Sequence, residues 1–260
     1  MTKNKTIIAD TALLLTASID PCNMPDAIHD PEKRLADYIE VLSYYVKHDS
    51  GIRKIVFADN SGWPIDDVSR AIRDNPYKKD IEYISLSQND FPREFGKGYG
   101  EHNLIATALH TSKILRETPY CAKMTGRHYL FNITEILEKT YEPIGMLCDF
   151  RDHPFFDLLR LPYCGHHCDT RFIVFRPGFF DRYLRDITNS HRTGGFSMEA
   201  QYYHALKDLE DGNQVKCRFP VEPVYGGIAG HWGKNYSGTA EEIKRKIRSV
   251  SRRLFPRLRI

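Results

Sequence analysis

No apolar run in this chain approaches the ~20 residues that cross a bilayer as a helix, so no membrane-spanning helix is predicted. Met1-Thr-Lys-Asn-Lys5 leads into a strand-like segment and carries no secretory cleavage pattern. The six cysteines are scattered through 260 residues. A chain of that length builds a core without staples, so reduced thiols in a cytoplasm are the expectation. Neither sign of charge is in excess: 37 Lys and Arg against 34 Asp and Glu leave +3, and nothing global favours nucleic acid. Two nucleotide signatures are missing. No G-x-G-x-x-G follows the first strand, which argues against a dinucleotide Rossmann site, and no G-x-x-x-x-G-K-[ST] marks a P-loop NTPase.

Strands alternating with helices fill the first 150 residues. Ile7–Ile19 reads as a buried first strand ending at Asp20-Pro21. Asp30-Pro31-Glu32 opens a helix, with Leu35, Tyr38, Ile39, Leu42, Tyr45 and Val46 on one face. Further strands are expected at Lys54–Ala58, Ile81–Leu86, Tyr120–Met124 and Ile144–Asp149, with a helix from about His102 to Glu117. This order predicts one α/β domain over residues 1–240 around a mostly parallel sheet with helices on both faces. Residues 1–150 form its nucleotide-binding half. After residue 150 the pattern loosens into an aromatic-rich half, 151–240, which would take the acceptor.

In such sheets ligands collect beyond the carboxyl ends of the strands. The polar residues there are Thr16 and Ser18, Asp59 and Asn60, and Lys123, Thr125 and Arg127. In Cys121-Ala-Lys-Met-Thr-Gly-Arg127 a compact cation and a planar one flank a glycine turn, a suitable seat for a diphosphate. The same stretch would serve as an ordinary strand end with solvated charges. Asn103, beyond the Gly-rich loop Gly96–Gly100, is a further binding residue, or the glycines only bend the chain before a helix. Cys164-Gly-His-His-Cys168 has the look of a zinc knuckle. Structural zinc wants four ligands, and no second Cys-x₂₋₄-Cys follows, so packing or an acceptor loop is expected instead.

Taken together, the Thr16-Ala-Ser first strand, Asp30-Pro-Glu-Lys-Arg34, Asp59-Asn-Ser-Gly62, Gly96-Lys-Gly-Tyr-Gly-Glu-His-Asn103 and Lys123-Met-Thr-Gly-Arg127 resemble the GT-A class of glycosyltransferases. The likeness is greatest to bacterial members that build lipopolysaccharide or capsule, and covers roughly residues 10–235. It implies transfer of a sugar from a nucleotide donor to a saccharide or lipid-linked acceptor, with inversion. Such enzymes usually carry an Asp-x-Asp that holds a divalent cation; this chain has none, and Lys123–Arg127 stands in its place. The cations would then replace the metal, and no cofactor is predicted. The alternative is a Mn or Mg ion on isolated ligands such as Asp149, Asp152 or His231. The resemblance also implies a catalytic base at a helix start, which points to Glu199 in Gly194-Gly-Phe-Ser-Met-Glu199, with Asp169 as runner-up. His231 and Lys234, on a Gly-flanked loop, would close over the diphosphate or simply cover the sheet.

The basic residues gather in a tail, 241–260. Lys244 to Arg259 holds eight Lys and Arg and no acid, with Ile243, Ile247, Val250 and Leu254 at helical spacing. A basic amphipathic helix predicts peripheral contact with the inner face of a membrane, or else packs on its own domain. A nucleic-acid-binding or non-catalytic nucleotide-binding α/β protein is the competing function. It would interleave stacking aromatics with the cations, and the tail's only aromatic is Phe255.

Overall fold

The computed structural model describes residues 5–22, 24, 27, 29–152, 165–189, 191, 195–210, 214–227, 239–255 and 259. Its centre is β1 (Thr11–Ala17), buried at every position. A strand covered on both faces has no reason to alternate polar with apolar, which is why Leu13-Leu-Leu15 is uniformly apolar. Leu13 and Leu15 join Phe57, Tyr38 and Leu42 in one core cluster, while Leu14 joins Val56, Ile105 and Ala108 in the other. The two clusters lie on opposite faces of one sheet.

β2 (Lys54–Asp59) and β3 (Asp80–Ser85) extend the sheet in parallel on one side of β1, and β4 (Tyr120–Thr125) pairs parallel on the other. A hairpin-like neighbour, β5 (His128–Leu130), leaves the sheet directly after β4. Beyond β4 the direction reverses. β6 (Met146–Leu147) and a later strand, β9 (Phe172–Phe175), pair antiparallel, and β9 also pairs antiparallel with β4. Between them in sequence, β7 (Phe150–Arg151) and β8 (His167–Cys168) form a separate two-stranded ribbon. β10 (Val215–Lys216) pairs parallel with β6 at the edge, and β11 (Tyr225–Gly227) pairs with β5. The seven-stranded order is β10-β6-β9-β4-β1-β2-β3.

Helix α1 (Pro31–Lys47) starts as its sequence dictates, with Pro31 at the first position and the Asp30 carboxylate accepting from the Lys33 N–H. α2 (Ile65–Arg73) follows β2. α3 (Lys97–Thr111) begins five residues before the expected His102, because Gly96 at φ +80° turns the chain into it. Gly98 and Gly100 are packed: a Cβ on Gly98 would lie 2.6 Å from the Phe196 carbonyl oxygen, and one on Gly100 would lie 2.8 Å from the Phe91 ring. α4 (Lys113–Arg116) continues the line after Ser112 recaps it, and α5 (Ile133–Glu138) follows β5. α6 (Pro177–Tyr183) follows β9. α7 (Met198–Leu206) is capped by Ser197, whose hydroxyl accepts from the Ala200 N–H.

The last helix, α8 (Thr239–Leu254), reverses the usual amphipathic arrangement. Its arginine side faces the domain, where Arg252 pairs with Asp149 at 2.5 Å and with Glu222. Ile243, Ile247, Val250, Leu254 and the adjoining Phe255 are each more than half exposed. Among the described residues no helix is long and apolar enough to cross a membrane.

Candidate functional site

A cavity of about 520 Å³ opens beyond the carboxyl ends of β1, β2 and β4, where parallel sheets gather ligands. Thr16 and Ser18 from β1 and its exit, Asn60 after β2, and Thr125 and Arg127 at the end of β4 line it. Glu101 on α3 and Glu199 on α7 are the two carboxylates among its described lining residues.

Its floor is set by a buried ion pair. Lys123 points out of the middle of β4 and is 0% exposed, a position a lysine holds only when its ammonium is fully partnered. Its Nζ lies 2.6 Å from Glu101 Oε1 and donates to Thr125 Oγ1 at 3.1 Å and to the Thr170 carbonyl at 2.7 Å. Burial alone would raise the Glu101 carboxyl. Lys123, with hydroxyls donated by Thr16 at 2.7 Å and Thr125 at 3.2 Å, outweighs it and leaves the carboxyl below its ordinary range. Lys123 therefore lies behind the cavity wall. It shapes that wall through Glu101 and Thr170 instead of reaching the cavity itself.

Gly126 explains how Arg127 comes to the front. The Gly126 N–H donates to the Thr16 carbonyl at 2.8 Å, and a Cβ there would lie 2.7 Å from that same oxygen. The glycine lets the β4 exit lie against β1, and Arg127 follows in the cavity wall over the Tyr38 ring, 5.6 Å from its centroid. Arg127 is 8% exposed. Its Nε and Nη1 are buried and have no hydrogen-bond acceptor among the described residues. Asp37 is 3.9 Å away, close enough for attraction and too far for a hydrogen bond. Beside it, His128 is driven down to about 4 by burial and then by Arg171, Arg127 and Lys123, so the ring is neutral at physiological pH. Asn60 Oδ1 is a further buried acceptor in the wall with no donor among the described residues.

Not every residue expected at the site reaches it. Asp59 is 0% exposed and turned inward. Its oxygens accept from the backbone N–H groups of Ile19, Ser61 and Trp63 at 2.9–3.1 Å and from the Ser61 hydroxyl, so it holds the β1 and β2 exit loops together. Asn103 faces away from the cavity and accepts from the Thr188 hydroxyl at 3.1 Å. Asp169 is buried between Arg171 (2.5 Å) and Arg151 (3.1 Å). Burial pushes its carboxyl up, but the two guanidiniums overwhelm that and hold it far below the usual carboxylate range. Glu199 is the exposed carboxylate. It accepts from Thr170 Oγ1 at 3.2 Å and Ser197 Oγ at 3.3 Å, in the first turn of α7. Thr170 thus bridges the Lys123 ammonium and the Glu199 carboxylate. His231 and Lys234 lie outside the described residues.

Glu101, Thr170, Arg34 and Arg171 also belong to the lining. Arg34 donates through Nε to the Ser18 carbonyl at 2.8 Å and fixes the β1 exit. The signal for Glu101 was a lysine inside a buried strand, which demands a carboxylate from another element. Arg34 sits in the Asp30-Pro-Glu-Lys-Arg34 entry to α1.

Among the described residues no group of three or more His, Cys, Asp or Glu is arranged to hold a metal ion. Of the two carboxylates in the wall, Glu101 is engaged by Lys123. Among the described residues the wall thus offers one carboxylate, Glu199, outside that ion pair, too few to hold a divalent cation by themselves, and no step below runs through one.

No family model matches the chain, and no curated protein matches it in sequence. Solved structures resemble it in fold. The core-mannan synthase A from Aspergillus fumigatus, in a Mn/GDP form, is 11% identical over 94% of this chain and 84% of that one, with a TM-score of 0.51. The inositol-1-phosphate CTP transferase from T. maritima is 14% identical over 94% and 98%, at 0.49. Mouse xyloside xylosyltransferase 1, in its apo form, is 10% identical over 79% and 82%, at 0.41. The mixed, mostly parallel sheet flanked by helices is GT-A-like.

Proposed function

We propose that this protein is a glycosyltransferase that moves a sugar from a nucleotide-sugar donor to a saccharide or lipid-linked acceptor in cell-surface polysaccharide synthesis. The observation that carries this reading is Arg127. A buried guanidinium in a cavity wall, with two nitrogens that find no acceptor among the described residues, is costly unless an anion completes it. A diphosphate at the carboxyl ends of β1 and β4 is such an anion, and a planar fork suits its oxygens. Thr16, Ser18, Asn60 and Thr125 then offer hydroxyls and an amide to the rest of the donor. Lys123 and Asp59 act from behind: Lys123 positions Glu101 and Thr170, and Asp59 holds the loops that carry Ser18 and Asn60.

Glu199 is the base in this reading. It takes the proton of an acceptor hydroxyl, whose oxygen bonds to the anomeric carbon as the bond to the diphosphate oxygen breaks. The electron pair leaves with the nucleoside diphosphate, beside Arg127. One base and one displacement invert the anomeric centre.

The test is calorimetric titration with nucleoside diphosphates, in Mn²⁺ and in EDTA. Arg127→Ala removes a charge-assisted contact of about 1.5–3 kcal/mol, roughly a ten- to hundredfold rise in Kd. The proposal fails if no nucleoside diphosphate binds, or if Arg127→Ala binds one as tightly as the parent.

The exposed face of α8 supports peripheral attachment to an anionic leaflet. Five large apolar side chains in a row are more than a scatter of surface hydrophobes, and Lys246 and Arg253 stand exposed beside them. Ile247→Asp with Val250→Asp should remove about 1.5–3 kcal/mol of apolar burial per residue and lower co-sedimentation with phosphatidylglycerol vesicles more than tenfold. Undiminished sedimentation would sink this attachment.

A further inference from the structure

Arg34 and Arg127 stand beside one aromatic ring. Their guanidinium carbons lie 5.7 Å and 5.6 Å from the Tyr38 ring centroid, and all three residues line the main cavity. The negative face of the ring offsets part of the repulsion between the two cations. Arg34 is only 5% exposed. Its Nε donates to the carbonyls of Ser18 at 2.8 Å and Ile19 at 3.2 Å, and its Nη2 to the Ser18 carbonyl and to the Tyr38 hydroxyl at 3.2 Å. These partners are all neutral, and among the described residues none takes Nη1. Burial above all, with Arg127 adding to it, holds the Arg34 guanidinium below its ordinary value; Asp37 and Asp59 favour the cation through space only. A buried cation bonded to carbonyls and a hydroxyl alone is short of an anion.

The sheet sets the two arginines in order. Its strands succeed one another as β2, β1, β4 and β9. Asn60 follows β2, and Arg34, bonded to the Ser18 carbonyl, marks the β1 exit. Arg127 follows β4, and Thr170, which donates to Glu199, precedes β9. Neighbouring strands are about 4.7–4.9 Å apart, a step that two linked phosphates bridge. Lys123, the other cation of β4, is sealed behind the wall and does not reach this space.

We propose that Arg34 binds the phosphate next to the nucleoside and Arg127 the outer one, so that the site selects a nucleoside diphosphate over a monophosphate as the carrier of the sugar. The inference rests on the glycosyltransferase reading and narrows its donor. A sugar joined through a single phosphate would leave one of the two guanidiniums without its anion. Nη1 makes the Arg34 contact while Nε and Nη2 keep the β1 exit in place, so the same side chain shapes the wall and binds at it.

The experiment compares nucleoside, monophosphate and diphosphate, with adenine, guanine, cytosine, uracil and thymine as bases, on the full chain, Arg34→Gln and Arg127→Ala. Calorimetry measures the phosphates and ligand-observed NMR the weakly held nucleosides. Each added phosphate gives one increment in affinity. In Arg34→Gln the increment from nucleoside to monophosphate is expected to fall about ten- to hundredfold, while the increment from mono- to diphosphate persists. Arg127→Ala is expected to do the reverse. If Arg34 only shapes the loop, all three ligands weaken together and both increments stay intact, which overturns the proposal. Loss of the second increment instead of the first overturns it as well. Circular dichroism checks folding, because Arg34 also fixes the β1 exit. Should Arg34→Gln not fold, Arg34→Lys keeps the charge without the planar fork; the first increment is then expected to fall several-fold, and an undiminished one overturns the proposal. If no diphosphate binds the parent, the glycosyltransferase reading falls and the proposal with it. If diphosphates bind the parent and both increments survive Arg34→Gln, the proposal falls alone.

Discussion

Glu199→Gln is expected to lower kcat by about 10²–10⁴-fold, the range of general-base catalysis, with donor affinity unchanged. The substitution keeps the side chain's shape; its amide oxygen can still accept from one of the two hydroxyls that hold it, Thr170 and Ser197, while its NH2 donates to the other, but it cannot take up a proton. Single-turnover kinetics with a nucleotide sugar and titration with the matching nucleoside diphosphate make the check. Normal turnover in Glu199→Gln would remove the base from this residue. Asp169 would be a poor replacement, because Arg151 and Arg171 hold its carboxylate so strongly that it has little affinity for a proton.

The second large effect falls on stability. Lys123→Met strips the ammonium from a largely buried cluster and leaves Glu101 facing two hydroxyls with no compensating charge from that residue. Breaking a buried pair by removing one partner costs about 3–5 kcal/mol. Glu101 retains some exposure, so the low end is expected. Glu101→Gln in the same chain should recover part of the loss, and urea unfolding of the four-member cycle measures the coupling. The pH dependence follows from Glu101. Its native carboxyl titrates below the ordinary 4.5, so its contribution to stability is fully present above that value. The contribution is lost as pH falls through the depressed native value. A flat cycle, with Lys123→Met as stable as the parent, would rule out this account of the cavity floor.

How far the sequence discloses the molecule depends on what each feature responds to. Burial on both sheet faces makes β1 uniformly apolar, and the Asp30-Pro31 start of α1 is chemically local; both are readable. Strand direction past β4 is not. β9 runs antiparallel to β4, and Phe172-Ile-Val-Phe175 would look the same in either direction. β6, two residues long, is a fragment of the expected Ile144–Asp149 because its neighbours are short.

The site divides in the same way. Position at a strand end or a helix start is legible: Thr16, Ser18, Asn60, Thr125 and Arg127, at or just past strand ends, and Glu199, at the start of α7, line one cavity. Side-chain direction is not legible. Asp59 and Asn60 are adjacent, yet the backbone N–H groups of two loops draw Asp59 inward while Asn60 faces the cavity. Asn103 turns to Thr188 because α3 carries it round to the wrong side. Lys123 is the most instructive case. It is separated from Arg127 by a glycine turn, but a strand residue that points into the layer beneath cannot share a ligand with one beyond the strand's end.

The reversed helix α8 has a consequence for how this protein would handle a surface. Arg252 is 9% exposed at its side chain, and its two carboxylate partners less, so salt in the medium reaches that anchor poorly. The cations beside the apolar stripe are open to solvent and fully screened. Ionic strength and detergent thus act on different ends of the same element. Salt would loosen the approach to a charged film, detergent would strip the film away, and neither would detach the helix from its domain. The segment is already folded before it meets anything, so arrival carries no ordering cost for that segment. Residence would then be governed by how fast five side chains leave an oily layer, and the protein could come and go without unfolding any part of itself.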